Sequence, residues 1–369
     1  MFGAGISYDA NIPLMYPLTE RVNSLIEEKG DNNDKAIISA LKEELTDDCH
    51  VEHYLSHLGD LIALAERSKF KKASLNSSNF STDQLNHCYR EIVRSIGVTV
   101  RYGYKNESNI GTIENPIIDI KKHMQFVRAL FEKKVNFERR SSITFFTTNY
   151  DTLLEDALAL NKIDVIDGFS GGAMAFWNAN KVFNQAAHKS SNCVLLYKLH
   201  GSVDWHRDSE HGLVRARYGT KYLSDAADIM IYPQATKYVE TQKDPFAALF
   251  SGLRYKLRET SQNVLVTCGY SFSDEHINSE IEYCLEDVNN KTTVVAFTDE
   301  KPKNDGSIKI NKTLDRWLEH PRFGARIYVA GKNGLYNNST TPLNPTDETT
   351  ELSWWSFSGL INFIKSGEP

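Results

Sequence analysis

Between residues 143 and 330 the apolar and polar positions repeat one form: a short β-rich apolar run, a sharp polar motif, then a stretch with helical spacing. Residues 143–148 (ITFFTT) precede Asn149-Tyr150-Asp151, after which Leu153, Leu154, Ala157 and Leu158 fall on one helix face. Residues 194–199 (VLLYKL) lead into His200-Gly201-Ser202. Residues 264–268 (VLVTC) lead into Gly269-Tyr270-Ser271 and then a helix aligned on Ile277, Ile281, Cys284 and Leu285. Residues 292–297 (TTVVAF) and 325–330 (ARIYVA) read as further strands, with Ile310, Leu314, Trp317 and Leu318 spaced as a helix face between them. Strands alternating with helices predict an α/β fold whose mostly parallel sheet is covered on both faces.

The segment before residue 143 has a different rhythm. Val51, Tyr54, Leu55, Leu58, Ile62 and Ala65 mark one amphipathic helix, and Leu85, Cys88, Tyr89, Ile92, Val93 and Ile96 mark another. Ile120, Met124, Val127, Leu130 and Phe131 mark a third, with Pro116 suited to its start. Residues 15–110 therefore read as a helical insertion between the first and second strands, with residues 76–81 (NSSNFS) as a loop inside it. The domain extends over residues 1–330. Residues 331–353 are polar and rich in Asn, Thr and Pro and read as an extended linker, and residues 354–364 (WWSFSGLINFI) form an apolar tail, so 331–369 stands as a linker and tail. Such a tail either packs on its own domain or covers a neighbouring subunit.

Composition narrows the class. A chain of 369 residues with 41% hydrophobic and 24% charged positions is ordinary globular material. A net charge of −6 gives no bulk reason to expect nucleic acid as a partner, and the densest cationic run, residues 67–72 (RSKFKK), reads as a solvated helix end. No run of about 18 apolar residues occurs, so no membrane association is expected, and the first residues lack the regions of a signal peptide. The five cysteines are scattered without a C-x-x-C pair, so neither a disulfide framework nor a zinc module is expected, and a reducing cytoplasm is the expected setting.

Four polar motifs follow strands, where open α/β sheets bind ligands: residues 3–7 (GAGIS), 147–151 (TTNYD), 200–202 (HGS) and 269–274 (GYSFSD). Each has a plain structural alternative. Gly3-Ala4-Gly5 lets backbone N–H groups approach a pyrophosphate, or is a glycine turn. No third glycine follows at the dinucleotide fingerprint position, and almost no strand precedes Gly3, so either the chain as given lacks its natural start or the first strand is unusually short. Asn149 and Asp151 can serve as a helix N-cap region, Ser271 and Asp274 as a capping box, and His200 as a structural histidine. Their convergence on one sheet edge favours a Rossmann-like ligand site over four separate coincidences. His53 and His57, four apart on a helix, could share a metal, but the glutamate of an H-E-x-x-H pair is missing and no third ligand is evident, so no metal site is expected.

The ordered set GAGIS, TTNYD, KLHGS and GYSFSD resembles the sirtuin (SIR2) superfamily, and in particular the SIR2-like domains of bacterial anti-phage defence proteins such as the Sir2 partner of a HerA-type ATPase. The resemblance covers roughly residues 2–7 and 114–329. It implies that Gly3, Ala4, Gly5 and Ser7 hold the pyrophosphate of NAD, and that Asn149 holds the ribose and a water near the anomeric carbon. It further implies that Asp151 lies near the carboxamide, that His200 is the general base, and that Gly269 and Ser271 face the adenosine ribose. Two departures matter. The family's structural zinc cysteines are absent, and residues 11–16 read NIPLMY where sirtuins carry G-I-P-D-F-R. The zinc module helps build the acyl-lysine groove, so the resemblance implies an NAD⁺ hydrolase with NAD as substrate and no zinc, rather than a protein deacylase or ADP-ribosyltransferase. A non-catalytic module that senses NAD or ADP-ribose is the other alternative, although binding alone needs no base. Homo-oligomers and a HerA-type ATPase partner are implied by the same likeness.

Overall fold

The computed structural model describes residues 1–132, 143–183, 193–217, 228–231, 244–259, 263–302, 308–338 and 352–368. Four helices come first: α1 (Met15–Lys29), α2 (Asn32–Glu44), α3 (Val51–Arg67) and α4 (Thr82–Tyr102), with a hairpin of β1 (Lys72–Leu75) and β2 (Ser78–Ser81) between α3 and α4. Asp31 caps α2 and Ser81 caps α4, each through a reciprocal capping box. The apolar stripes of the four helices close on one another in a core that includes Val22, Ile37, Leu55, Leu58, Ile92 and Ile96 and reaches Tyr150, Leu153 and Val203 of the α/β part. The stretch NSSNFS is not a loop. Asn76 and Ser77 take φ of 42° and 64° at the tip of the hairpin, the left-handed geometry that lets two twisted strands pair. A short pair, β3 (Tyr104–Asn106) and β4 (Asn109–Ile110), then leads to α5 (Lys121–Glu132), so Pro116 lies ahead of that helix and not in its first turn.

The main sheet contains β5 (Thr144–Thr147), β6 (Asp164–Ile166), β9 (Cys193–Lys198), β13 (Val264–Cys268), β14 (Thr293–Phe297), β17 (Ile327–Gly331) and the edge strand β18 (Gly334–Tyr336). Its two halves, β6-β9-β5 and β13-β14-β17-β18, are joined through Phe2, which bridges Thr147 on one side and Cys268 on the other in parallel. Phe2 N–H donates to the Phe146 carbonyl at 2.8 Å and Thr148 N–H to the Phe2 carbonyl at 3.1 Å. Phe2 thus stands in the middle of the sheet. Strand order runs outward from Phe2 to one side, through β5, then returns to the other side with β13. That reversal opens a crevice at the carboxyl ends of the central strands. Among the described strands of this sheet β18 alone is antiparallel, and it takes up residues 334–336 of the stretch read as linker. Residues 339–351 of that linker lie outside the described residues.

Both faces of the sheet are covered. Successive side chains of β5 alternate: Phe145 enters one core with Phe126, Leu154 and Phe357, and Phe146 enters the other with Leu253, Ile277 and Trp317. The first core is roofed by α5, α6 (Leu153–Leu160) and the last helix, α10 (Phe357–Ser366). The second is roofed by α7 (Phe246–Arg258), α8 (Glu275–Glu286) and α9 (Lys312–Leu318). An antiparallel sheet that the periodicity does not announce stands beside it, in the order β12 (Asp228–Ile231), β10 (Gly201–Asp208), β11 (Gly212–Ala216), β8 (Met174–Trp177), β7 (Phe169–Gly171). The remaining pair, β15 (Lys301–Pro302) and β16 (Ile308–Lys309), is a small hairpin.

Candidate active site

The glycine loop sits where backbones come closest. Residues 3–7 leave the central strand and turn at once into a short 3₁₀ segment, Ala4–Ile6, with Gly5 N–H bonded to the Gly269 carbonyl at 3.0 Å. A Cβ on Gly3 would stand 2.6 Å from the Gly269 oxygen, and one on Gly5 2.7 Å from the Gly269 Cα. Gly269 itself has φ +63°, so both sides of the contact require glycine. The loop after Phe2 and the loop after β13 are thereby pinned together, and their peptide groups border the crevice.

A cavity of about 650 Å³ opens there, within the range of small-molecule sites. All nine residues singled out from the sequence border it: Gly3, Ala4, Gly5, Ser7, Asn149, Asp151, His200, Gly269 and Ser271. Ser7 links two of the motifs. Its hydroxyl donates to Asp151 Oδ2 at 2.7 Å and accepts from Asn149 Nδ2 at 2.9 Å. Asp151 Oδ1 in turn accepts the Leu153 N–H at 3.0 Å at the start of α6. Asp151 therefore does serve the helix end, and both its oxygens are engaged. The Asn149 side chain is buried with its carboxamide oxygen unpartnered among the described residues, which leaves one acceptor for a ligand or water.

His200 follows β9 and is buried, with Asp274 Oδ2 3.4 Å from its Nε2. Asp274 holds the N-cap position of α8 without making a side-chain cap bond, so the capping-box alternative gives way to a histidine–carboxylate pair. Ser271 Oγ accepts from Ser273 N–H at 3.3 Å in a local turn. Behind the TTNYD motif lies Lys198, fully buried, bonded to the Asp151 carbonyl and to Glu155 Oε1 at 2.7 Å. Burial pushes the Glu155 carboxyl up to about 7, against the pull of Lys198. Burial alone would lower the Lys198 pKa, but Glu155, Asp204 and Asp151 outweigh it and raise the value. This cluster fixes the backbone that presents Asn149.

Several bordering residues were not singled out from the sequence. Met15, Tyr16 and Leu18 of α1, Glu52 of α3 and Val100 of α4 border the cavity, so the helical insertion contributes to its wall. Thr298 and Asp299 after β14 and Trp355, Ser356 and Phe357 from the chain's last segment border it as well. Thr298 and Asp299 are polar residues that directly follow the apolar run of β14 and could have been read as a further strand-end motif, whereas the others arrive from elements remote in sequence. The two histidines of the pair considered for metal face other partners: the His53 ring lies 3.9 Å from that of His50, tilted by 32°, and His57 Nε2 bonds Glu44 at 3.0 Å. No described helix is long and apolar enough to cross a membrane.

Comparison with known proteins agrees with this geometry. None of the curated proteins matches the chain. Residues 143–320, from β5 to just past α9, match the family model of the SIR2-like domain, a span that holds the TTNYD, KLHGS and GYSFSD motifs. Over residues 143–320 the chain is thus similar to a SIR2-like domain, a family that generally uses NAD.

Proposed function

We propose that this protein hydrolyses NAD⁺ at the nicotinamide–ribose bond, giving ADP-ribose and nicotinamide. The observation that carries the reading is the meeting of Asn149, with an open buried carboxamide oxygen, and the His200–Asp274 pair at one cavity bordered by the glycine loop. Cleaving an N-glycosidic bond with a cationic leaving group passes through an oxocarbenium-like state. Nicotinamide departs with the bonding electron pair and needs no proton. Water then bonds to the anomeric carbon, and its proton must go to a base. Asn149 is suited to orient that water through its carboxamide oxygen. His200 is suited to take the proton, and the Asp274 carboxylate beside it to stabilise the imidazolium that forms. The peptide groups around Gly3, Ala4, Gly5 and Ser7 and the short turn they start suit the pyrophosphate. Gly269 and Ser271 suit the adenosine ribose.

Asp151 is the exception to the expected roles. Its two oxygens already accept from Ser7 and Leu153, so in this reading it braces Asn149 through Ser7 rather than reaching the carboxamide. On the same reading the chain is a cytoplasmic effector that drains NAD⁺ during phage infection, as a homo-oligomer beside a HerA-type ATPase, with activity gated until triggered. The support for that context is the likeness of its motif set.

The test is nicotinamide release from NAD⁺ by the purified protein, followed by chromatography with and without an acyl-lysine peptide, and again after exhaustive chelation. Release independent of peptide and of chelation is expected. Asn149→Ala and His200→Ala should each lower it by about 10²–10⁴-fold at equal folded concentration. Release that requires the peptide would make the protein a deacylase, and near-normal turnover in either variant would remove that residue from the mechanism.

A further inference from the structure

Glu52 sits in the first turn of α3, far in sequence from any of the motifs, yet its side chain borders the cavity and is only 3% exposed. Its two oxygens differ. Oε1 accepts the Tyr150 hydroxyl at 2.6 Å, and Tyr150 is the residue between Asn149 and Asp151. Oε2 is buried without a hydrogen-bond partner among the described residues. Burial and the adjacent Glu52 carboxylate hold the Tyr150 phenol well above its ordinary pKa, so it stays a donor and keeps the carboxylate in place.

A buried carboxylate oxygen with no donor is costly unless something in the cavity meets it. Apolar side chains, Ile12, Leu18 and Val100 among them, also border the cavity, and apolar lining lowers the local dielectric and strengthens charge interactions across the space. Of the other carboxylates bordering the cavity, Asp151 has both oxygens engaged, Asp9 accepts from Ser358, Asp274 lies beside His200 and Asp299 pairs with Lys332. Among the described residues bordering the cavity, Glu52 thus stands out as a buried carboxylate with an oxygen that no protein donor meets.

We infer that Glu52 recognises the positive charge of the nicotinamide ring of NAD⁺, its open oxygen lying against the pyridinium while Tyr150 fixes the other. This rests on the NAD⁺ reading above and adds to it the form of the nucleotide selected. A negative charge beside the ring favours the oxidised, cationic nucleotide over the neutral reduced one. It also favours NAD⁺ over the products, since free nicotinamide is neutral and ADP-ribose lacks the ring. Because the charge leaves the ring as the bond breaks, the interaction acts mainly on binding, and its loss should appear in KM more than in kcat.

The test compares affinities for NAD⁺ and NADH by calorimetry with the full chain and with Glu52→Gln, which keeps an acceptor for Tyr150 and removes only the charge. The wild-type chain should prefer NAD⁺ by at least roughly tenfold, and E52Q should bring the two affinities together, chiefly by weakening NAD⁺. Tyr150→Phe, which leaves the charge, should retain a preference for NAD⁺. Equal affinity of the wild-type chain for the two nucleotides overturns the inference and leaves NAD⁺ binding standing, even if E52Q does not fold. An undiminished preference in folded E52Q overturns it as well. A wild-type chain that binds neither nucleotide overturns the NAD⁺ reading itself, and the inference with it.

Discussion

His123 on α5 has no exposed surface, and neither ring nitrogen has a hydrogen-bond partner among the described residues. Its ring lies 5.1 Å from that of Phe357 in the core that roofs the central strand. Burial lowers its pKa below the usual histidine value, against the opposing pull of Asp151 and Asp9. In the unfolded chain the same residue titrates near 6.5, at about its ordinary value. As pH falls through that value, the unfolded state takes up a proton that the folded state refuses, so stability declines until the lower folded pKa is passed. His206, also buried with a lowered pKa, acts in the same direction. His123→Leu should therefore lose less stability between pH 7.5 and 5.5 than the wild-type chain, read as a smaller drop in urea midpoint, with the remaining slope owed in part to His206. Identical slopes would contradict this account. At this scale the sequence showed the strand-end residues, because Asn149 and His200 sit in compact polar motifs after apolar runs. It could not show Glu52, whose relation to Tyr150 spans 98 positions and depends on how α3 packs.

Among elements, the parallel strands were readable because each is a continuous apolar run flanked by a sharp motif, the pattern of a sheet buried on both faces. The antiparallel sheet was not. Its pairings join residues such as Val214 with Phe176, and register of this kind is set by partners distant in the chain rather than by local period. The Phe2 bridge at the centre of the sheet carries no periodicity of its own and is recognised by its neighbours β5 and β13. Its consequence is the glycine contact that holds the two loops of the crevice. In Gly5→Ala the new methyl carbon meets Gly269 backbone, 2.7 Å from its Cα, and backbone cannot move aside as a flexible side chain can. The expected cost is about 1–3 kcal/mol of stability, with loss of NAD⁺ affinity at the displaced loop. Gly172→Ala, with nothing within 4 Å of the added carbon, serves as the control and should stay within about 0.5 kcal/mol of the wild-type chain. Equal urea midpoints for the two variants would show that the loops are not locked together as described.

For the whole molecule the decisive element is the last one. Of the two destinations open to an apolar tail, the chain takes the intramolecular one. Trp354 Nε1–H donates to the Gly331 carbonyl at 2.7 Å and its ring meets Phe297 edge-on, while Phe357 packs against Phe2 and Phe126. Ser358 Oγ donates to Asp9 Oδ2 at 3.0 Å, just beyond the glycine loop, and accepts from Lys122 Nζ of α5. The tail thus spans from the outer strands of the sheet to the loop at its centre, and Trp355, Ser356 and Phe357 finish the cavity wall beside Asp299. The matched family span ends at residue 320, so this wall lies outside it. Trp355 is the residue to change. It is half-buried, with Lys332 Nζ 4.9 Å from its ring centroid and itself paired with Asp299 at 2.9 Å. Trp354 and Phe357 are fully buried, and truncating either should cost about 3–5 kcal/mol and confuse folding with binding. Trp355→Ala should leave the melting temperature nearly unchanged and weaken NAD⁺ binding several-fold, a loss of about 1 kcal/mol of contact. Removing residues 352–369 should weaken binding further and expose the apolar surface of α5. If a folded chain without those residues binds NAD⁺ as the intact chain does, the tail is only a cover for the core; if its mass per particle falls in light scattering, the tail also holds subunits together.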